Sequence, residues 1–335
     1  MSSLPYLSLF SFTLILGSLL ALSGNHWIFI WMGLEVNLMS FIPLLTSSHM
    51  NQEAEAAMKY FLAQALGSGL LLLGALSFST QSQLTLPFIF SPLLITFGLL
   101  IKLGLPPCHF WFPSVMGSIS WPLCIALATW QKLIPLLLLL YTFSAHLLPL
   151  ICFIVMFSSL IGGLGGLNQT QLRPLLAFSS IGHMSWMLAA STVSYSAGLM
   201  YYLIYVLITI PLMLMLWINS TPLTSSLNSL SFKSKSALAG LMILVLSLGG
   251  VPPFTGFFPK WVIMESLAST SPFLVTIILL GSMINLYYYL NLMFISSIKA
   301  SSPDTLLSSP STSFSFMPLL AGGSLGLGPV LFMII

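Results

Sequence analysis

Four ionisable side chains stand where the surrounding sequence offers them no water. Glu35 lies in HWIFIWMGLEVNLMSFIPLL, Lys132 in WPLCIALATWQKLIPLLLLLY, Lys102 in LLIKLGLPPCHFWFP and Lys260 in LSLGGVPPFTGFFPKW. A single charge at the centre of an apolar helix costs at least ~2.5–3.5 kcal/mol on insertion scales, so four of them call for a use. The bland use is a salt bridge that fixes helix packing, but three lysines and one glutamate cannot all pair off. An ammonium group without a counter-charge in a dry interior gives up its proton more readily than in water. A lysine so placed is a proton carrier. Glu35 is the natural modulator, because a nearby carboxylate holds a lysine protonated and its neutralisation releases the proton. His183 is near the centre of another apolar stretch, with Ser179 and Ser180 one turn before it on the same face. A packing role and a relay role are both open for it.

These groups need an apolar scaffold, and the composition supplies one. Among 335 residues there are 8 Lys or Arg and 5 Asp or Glu, 4% charged, where a soluble domain carries about 25%. Apolar residues make up 57%. So few charges cannot cover a water-soluble globule, the hydrophobicity excludes disorder, and a thinly spread net charge of +3 makes no nucleic-acid surface. The chain reads as an all-α polytopic membrane protein. Eleven stretches approach the ~20 residues needed to cross the hydrocarbon. They are 4–22, 26–46, 58–78, 88–105, 120–141, 147–167, 172–191, 195–218, 237–266 (interrupted), 272–296 and 316–335. The runs are continuous rather than alternating, which excludes a β-barrel. Met1 to Leu22 carries no charge and reads as the first span rather than a cleaved targeting segment. Only 47–57, 219–236 and 297–315 have loop character, and no insert is long enough for a second, soluble domain. Residues 1–335 are therefore expected to form one integral membrane domain.

With eleven spans the connections alternate between two sides. Lys59, Arg173, Lys233, Lys235 and Lys299 all fall on the N-terminal side, and the opposite connections carry no Lys or Arg. That asymmetry predicts an N-terminus on the cytoplasm-equivalent side and a C-terminus on the other. Glu53 and Glu55 fall on the first side as well, with Glu55 and Lys59 one helical turn apart.

Gly104, Pro106 and Pro107 interrupt the fourth span; Gly249, Gly250, Pro252 and Pro253 interrupt the ninth. Carbonyls freed at membrane depth are tolerated only inside protein or beside water. The two Pro-Pro pairs are 146 residues apart, which predicts two five-helix halves, about 1–141 and 147–296, plus a final helix at about 316–335. An odd number of spans per half inverts the second half. Matching broken helices in inverted halves mark the ion path of a transporter. The match is imperfect: Lys102 precedes its break, Lys260 follows its own, and no charge in the tenth span answers Lys132. Kinks that serve packing alone are the plain alternative.

Smaller polar groups share helix faces: Gln64 with Ser68, Thr129 with Lys132, Tyr202 with Tyr205 and Thr209, Asn285 with Tyr289. Each alone reads as helix–helix hydrogen bonding, and together they are candidates for a chain of waters. His109 sits in the first broken region, whereas His26, His49 and His146 fall near span ends. Gly162–Gly163 and Gly165–Gly166 predict close packing and not a phosphate loop. Cys108, Cys124 and Cys152 are too scattered for a disulfide framework or a metal site.

Several blocks of irregular composition carry a family resemblance. They are NHWIFIWMGLEVNLMSFIPLL at 25–45, MKYFLAQALGS at 58–68, KLGLPPCHFWFPSV at 102–115, TWQKLIP at 129–135, LAFSSIGHMSWM at 176–187 and LSLGGVPPFTGFFPKW at 246–261. In these, in order, the chain resembles the subunit 2 family of mitochondrial NADH:ubiquinone oxidoreductase, respiratory complex I. The resemblance implies an antiporter-like fold of two inverted five-helix repeats. It implies proton pumping across the mitochondrial inner membrane, driven by quinone chemistry elsewhere in the complex. It implies Glu35 as the acidic residue of the first channel, Lys102 as its central lysine, Lys132 as the connecting lysine and Lys260 as the exit-side lysine. The animal mitochondrial version resembles the longer bacterial one without three N-terminal helices, in keeping with an N-terminus in the matrix and a C-terminus toward the intermembrane space. Ser114 stands where the family usually has an acidic residue after the first break, and Pro174 where it often has a second basic one. The first span and the region beyond 300 match only in hydrophobicity.

No Cys cluster, Rossmann fingerprint or pair of haem-ligating histidines is present, so FMN, iron–sulfur clusters and ubiquinone are expected in partner subunits. The expected partners are other complex I membrane subunits, neighbouring antiporter-like ones among them, and membrane lipids such as cardiolipin, with no nucleic acid. The expected mechanism is an electrostatic hand-off from Lys102 through Lys132 to Lys260. Two rivals keep the same residues: a free-standing cation/proton antiporter, and a structural membrane subunit whose buried charges only fix assembly.

Overall fold

The computed structural model describes residues 5–47, 50–80, 90–142, 145–219 and 235–300. Among these residues the elements are helices. The chain divides into two compact units, Met1–Leu150 and Ile151–Ile335.

The first unit holds α1 (Pro5–Ser23), α2 (Trp27–Leu45), α3 (Asn51–Thr80), α4 (Phe90–Leu103), α5 (Trp111–Ser118), α6 (Trp121–Ala128) and α7 (Trp130–Tyr141). α1 packs along α2, and α3 packs along α4 while also meeting α2 and α5. Both intimate pairs close on glycine. A methyl on Gly33 would lie 2.5 Å from the Ala21 nitrogen, and one on Gly98 would lie 2.7 Å from the Gly67 carbonyl. With no hydrophobic drive between helices in lipid, this close backbone approach is what holds such pairs together.

The second unit holds α8 (Leu148–Leu167), α9 (Leu172–Ser191), α10 (Tyr195–Asn219), α11 (Lys235–Gly249), α12 (Phe257–Ala268) and α13 (Pro272–Ala300). α9 lies at its centre, with His183 and every residue from Ser179 to Ser191 buried. Its neighbours α10, α12 and α13 surround it. α8 approaches it closely: a methyl on Gly162 would stand 2.6 Å from the Gly182 nitrogen. The glycine pairs of α8 serve packing, as their sequence predicts.

Among the described residues, seven helical segments are long and apolar enough to cross a membrane. α9 is as long as these but carries four serines, a histidine and an arginine, and its neighbours shield it instead of lipid. The expected loop at 47–57 is in fact helical from Asn51 onward. Glu53 lies in the first turn, where an acid favours the helix N-terminus, and Lys59 pairs with Glu55 at 2.6 Å. A count of apolar residues alone misses such an extension beyond the hydrocarbon. The stretch 120–141 is two helices, parted at Thr129 (φ −112°, ψ −74°). Residues 111–118, which fall between two expected spans, form α5. His49, Lys233 and the expected span at 316–335 lie outside the described residues.

Both expected breaks are present, and glycine rather than proline ends each helix. Gly104 (φ +69°) and Gly250 (φ +78°) take the left-handed conformation one residue past α4 and α11. The Gly104 amide bonds the Ile101 carbonyl and the Leu105 amide bonds the Leu100 carbonyl. Gly250 bonds Ser247, and Val251 bonds Leu246, in the same pattern. These are Schellman caps. The motif repeats in register 146 residues on: Gly104, Pro106, Pro107, Phe112 and Pro113 are answered by Gly250, Pro252, Pro253, Phe258 and Pro259.

Candidate functional site

In the first unit, α2, the end of α4 and the start of α7 present Glu35, Lys102 and Lys132. Glu35 is half-buried, while Lys102 and Lys132 are 5% and 2% exposed. The Glu35 charge acts on Lys102 across space, without a contact ion pair. Lys102 ends α4, so its own carbonyl looks for a donor beyond the helix. The Gln64 side-chain amide of α3 supplies it at 3.1 Å, and the Trp111 indole does the same for Ile101 at 3.1 Å. The Lys102 stem runs along Gly67, where a methyl would come within 3.1 Å of its Cγ.

Lys132 Nζ stands 4.2 Å above the centre of the Phe112 ring. In a desolvated setting such a ring face stabilises a cation by about 2 kcal/mol without adding a charge. Gln131 beside it bridges two other helices. Its Nε2 donates to Asn37 Oδ1 at 2.9 Å, and its Oε1 accepts from Tyr60 at 3.4 Å. Tyr60 in turn meets Phe41 and Trp111 edge-on at 5.2 and 5.7 Å. In this unit the Glu35 charge reaches Lys102, and Lys132 lies against Phe112 of α5. Asn37, Tyr60, Phe112 and Gln131 were missed; a polar residue adjoining a buried charge, as Asn37 and Gln131 are, was the available signal.

In the second unit, His183 is buried and its Nδ1 lies 2.9 Å from the Tyr201 hydroxyl. The Tyr205 ring, one turn further along α10, is 5.3 Å from the imidazole. Ser179 and Ser180, expected to form a stripe with His183, turn their hydroxyls back to the Leu176 and Ala177 carbonyls at 2.8 and 2.6 Å. Ser68, Thr129 and Thr209 likewise bond their own helices. A phenol that the sequence does not single out, Tyr201, is thus a partner of His183.

Lys260 is 7% exposed, and its Nζ donates to the Gly249 carbonyl at 2.8 Å and the Leu248 carbonyl at 3.4 Å. A cavity of ≈ 10 Å³, about the room one water needs, is lined by His183, Tyr201, Tyr205, Ser247, Leu248 and Pro259. The imidazole and the carbonyl end that holds Lys260 share its wall. His109 is buried and its ring lies 4.1 Å from that of Phe110.

These arrangements can hold protons on amines and an imidazole sheltered from lipid. The family model described as the transmembrane region of NADH:quinone oxidoreductase and Mrp antiporters matches residues 24–285. NADH-ubiquinone oxidoreductase chain 2 of Lumbricus terrestris is 41% identical over 97% of this chain and 97% of its own length. Among solved structures, a chain of respiratory complex I from Thermus thermophilus superposes with a TM-score of 0.85 at 26% identity, covering 100% of this chain and 80% of that one. A chain of the Mrp complex from a Dietzia species shares the fold, with a TM-score of 0.81 at 18% identity over 96% of this chain and 74% of that one. Likeness in sequence over nearly the whole length, with the same fold, leaves one assignment: this chain belongs to the NADH-ubiquinone oxidoreductase chain 2 family.

Proposed function

We propose that this chain is a core membrane subunit of mitochondrial NADH:ubiquinone oxidoreductase that moves protons across the inner membrane. The observation that carries the reading is how the buried lysines are met. Lys102 has a carboxylate at a distance, Lys132 has a ring face, and Lys260 has two backbone carbonyls. Each is a setting in which an amine holds a proton and can also release it.

The catalytic groups of this reading are Glu35, Lys102, Lys132, Lys260 and His183. Glu35 holds Lys102 charged; when a charge change in the complex neutralises Glu35 or draws it away, Lys102 passes its proton toward Lys132. Phe112 stabilises the charge on Lys132 without trapping it. His183 and Lys260 carry the proton out, with Tyr201 fixing the imidazole. Moving one proton against the membrane potential takes ~2.3 kcal/mol per 100 mV. A lysine whose proton affinity changes ~100-fold between two states stores ~2.7 kcal/mol, so two or three coupled steps match the task.

The two halves act as inverted repeats, and the repeated Gly-x-Pro-Pro break supports this. Eleven spans place the N-terminus in the matrix and the C-terminus toward the intermembrane space. The redox groups (FMN, iron–sulfur clusters, ubiquinone) belong to partner subunits. Neighbouring antiporter-like subunits and lipids such as cardiolipin cover its flanks. The test is Lys102→Ala in the assembled complex. Protons translocated per NADH oxidised in sealed vesicles should fall to background while assembly persists; unchanged coupling refutes the role.

A further inference from the structure

Within a continuous α-helix the carbonyls of Leu248 and Gly249 would accept from residues 252 and 253. Both are proline and have no N–H to give. Those two carbonyls are the ones that accept from Lys260 Nζ, at 3.4 and 2.8 Å. The hydroxyls nearby do not compete: Ser247 donates to Leu244, and buried Thr255 Oγ1 bonds neither carbonyl. Gly250 keeps the approach open, since a methyl there would stand 2.7 Å from Nζ.

The break in the first unit solves the same problem differently. Pro106 and Pro107 withhold the donors for Lys102 and Leu103, and the carbonyl of Lys102 accepts from the neutral amide of Gln64 at 3.1 Å. The residue in register with Lys260 is Ser114, and its hydroxyl turns back to the Trp111 carbonyl at 2.9 Å. One break is capped by a group that never titrates, the other by one that does.

We propose that Lys260 is the C-terminal cap of α11 as well as a proton carrier, its ammonium seated on the two carbonyls orphaned by Pro252 and Pro253, with Gly250 as the positioning residue that admits it. The negative end of a helix replaces the carboxylate that Lys102 has in Glu35. Loading and unloading Lys260 then changes the grip on the α11–α12 break. Of the titratable groups nearby, His183, Tyr201 and Tyr205 line the cavity that Leu248 and Pro259 share, whereas Glu265 on α12 is exposed. The capping half stands on geometry alone; the proton-carrying half rests on the function proposed above.

Three variants in the assembled complex separate the halves. Lys260→Gln and Lys260→Arg still offer N–H donors to the carbonyls, and Lys260→Met offers none. The yield of intact complex should stay at the parental level in the first two and fall by about tenfold in the third, the loss expected from leaving buried acceptors unsatisfied. Proton translocation per NADH should be lost in all three. Equal yields of the Met, Gln and Arg complexes overturn the cap and leave the pump. Failure of all three to assemble also overturns the cap, because two of them supply the donor. Retained translocation in Lys260→Gln overturns the proton-carrying role and leaves the cap.

Discussion

Gln131 shows what a neutral side chain contributes beside a buried charge. It joins Asn37, 94 residues before it in the chain, and Tyr60, 71 residues before it. Asn37 is two residues from Glu35, and Gln131 adjoins Lys132, so this amide bridge sets the spacing of α2 and α7 where both carry charge. Removing one partner of a buried bond leaves the other orphaned at ~1–3 kcal/mol, whereas removing both is nearly neutral. Gln131→Leu should therefore lower the unfolding temperature of the complex more than the double variant Asn37→Leu/Gln131→Leu does, which a thermal melt of each reads directly. If the double variant is the worse of the two, the bridge is not what holds these helices. That Lys102, Lys132, Lys260 and His183 must be sheltered by protein was legible in the sequence, because a charge or imidazole in an apolar stretch is costly wherever its helix packs. Their partners were not. Phe112, Tyr60 and Tyr201 look like any aromatic core residue until tertiary contact turns a ring or a hydroxyl toward the ionisable group.

The same divide holds for the helices. Hydrophobic run length located the long apolar helices among the described residues, and the Gly and Pro clusters located both breaks. The cause of each break was less legible, since proline draws attention and the left-handed glycine before it does the turning. The break at Thr129 left no such mark; the nearest proline, Pro135, lies inside α7. At Gly104 the sequence is unforgiving. A side chain at its φ of +69° costs about 1–2 kcal/mol, and a methyl there would lie 2.9 Å from Phe112 Cβ. Gly104→Ala should push α5 outward and take the Phe112 ring from beneath Lys132 Nζ. Proton translocation per NADH should then drop while quinone reduction in uncoupled membranes persists. Loss of both together would mean that the break supports only assembly.

On the scale of the molecule, the scarce charges divide into two kinds. Lys102, Lys132 and Lys260 are buried and carry the proposed chemistry, whereas Glu55 and Lys59 are exposed. Lys59 and Glu55 are exposed and one turn apart, and a surface pair of this kind adds no more than ~0.5 kcal/mol to stability. An eleven-span count would put Lys59, Arg173, Lys235 and Lys299 on one set of span ends, which stability does not explain and translocation does, because basic residues near span ends stay on the side of synthesis. Orientation matters to the pump, since it decides which end of the lysine series meets matrix protons. Glu55 and Ser196 are both exposed and belong to opposite span ends in an eleven-span count. Glu55→Cys should react with an impermeant maleimide only in vesicles whose matrix face is outward, and Ser196→Cys only in vesicles of the other orientation. Labelling of exposed Cys108 in the unsubstituted chain supplies the background to subtract. If both new thiols react from the same face, a span has been miscounted between α3 and α10. The inverted repeat proposed above would then fail, and protons could not enter and leave on opposite sides by the route proposed.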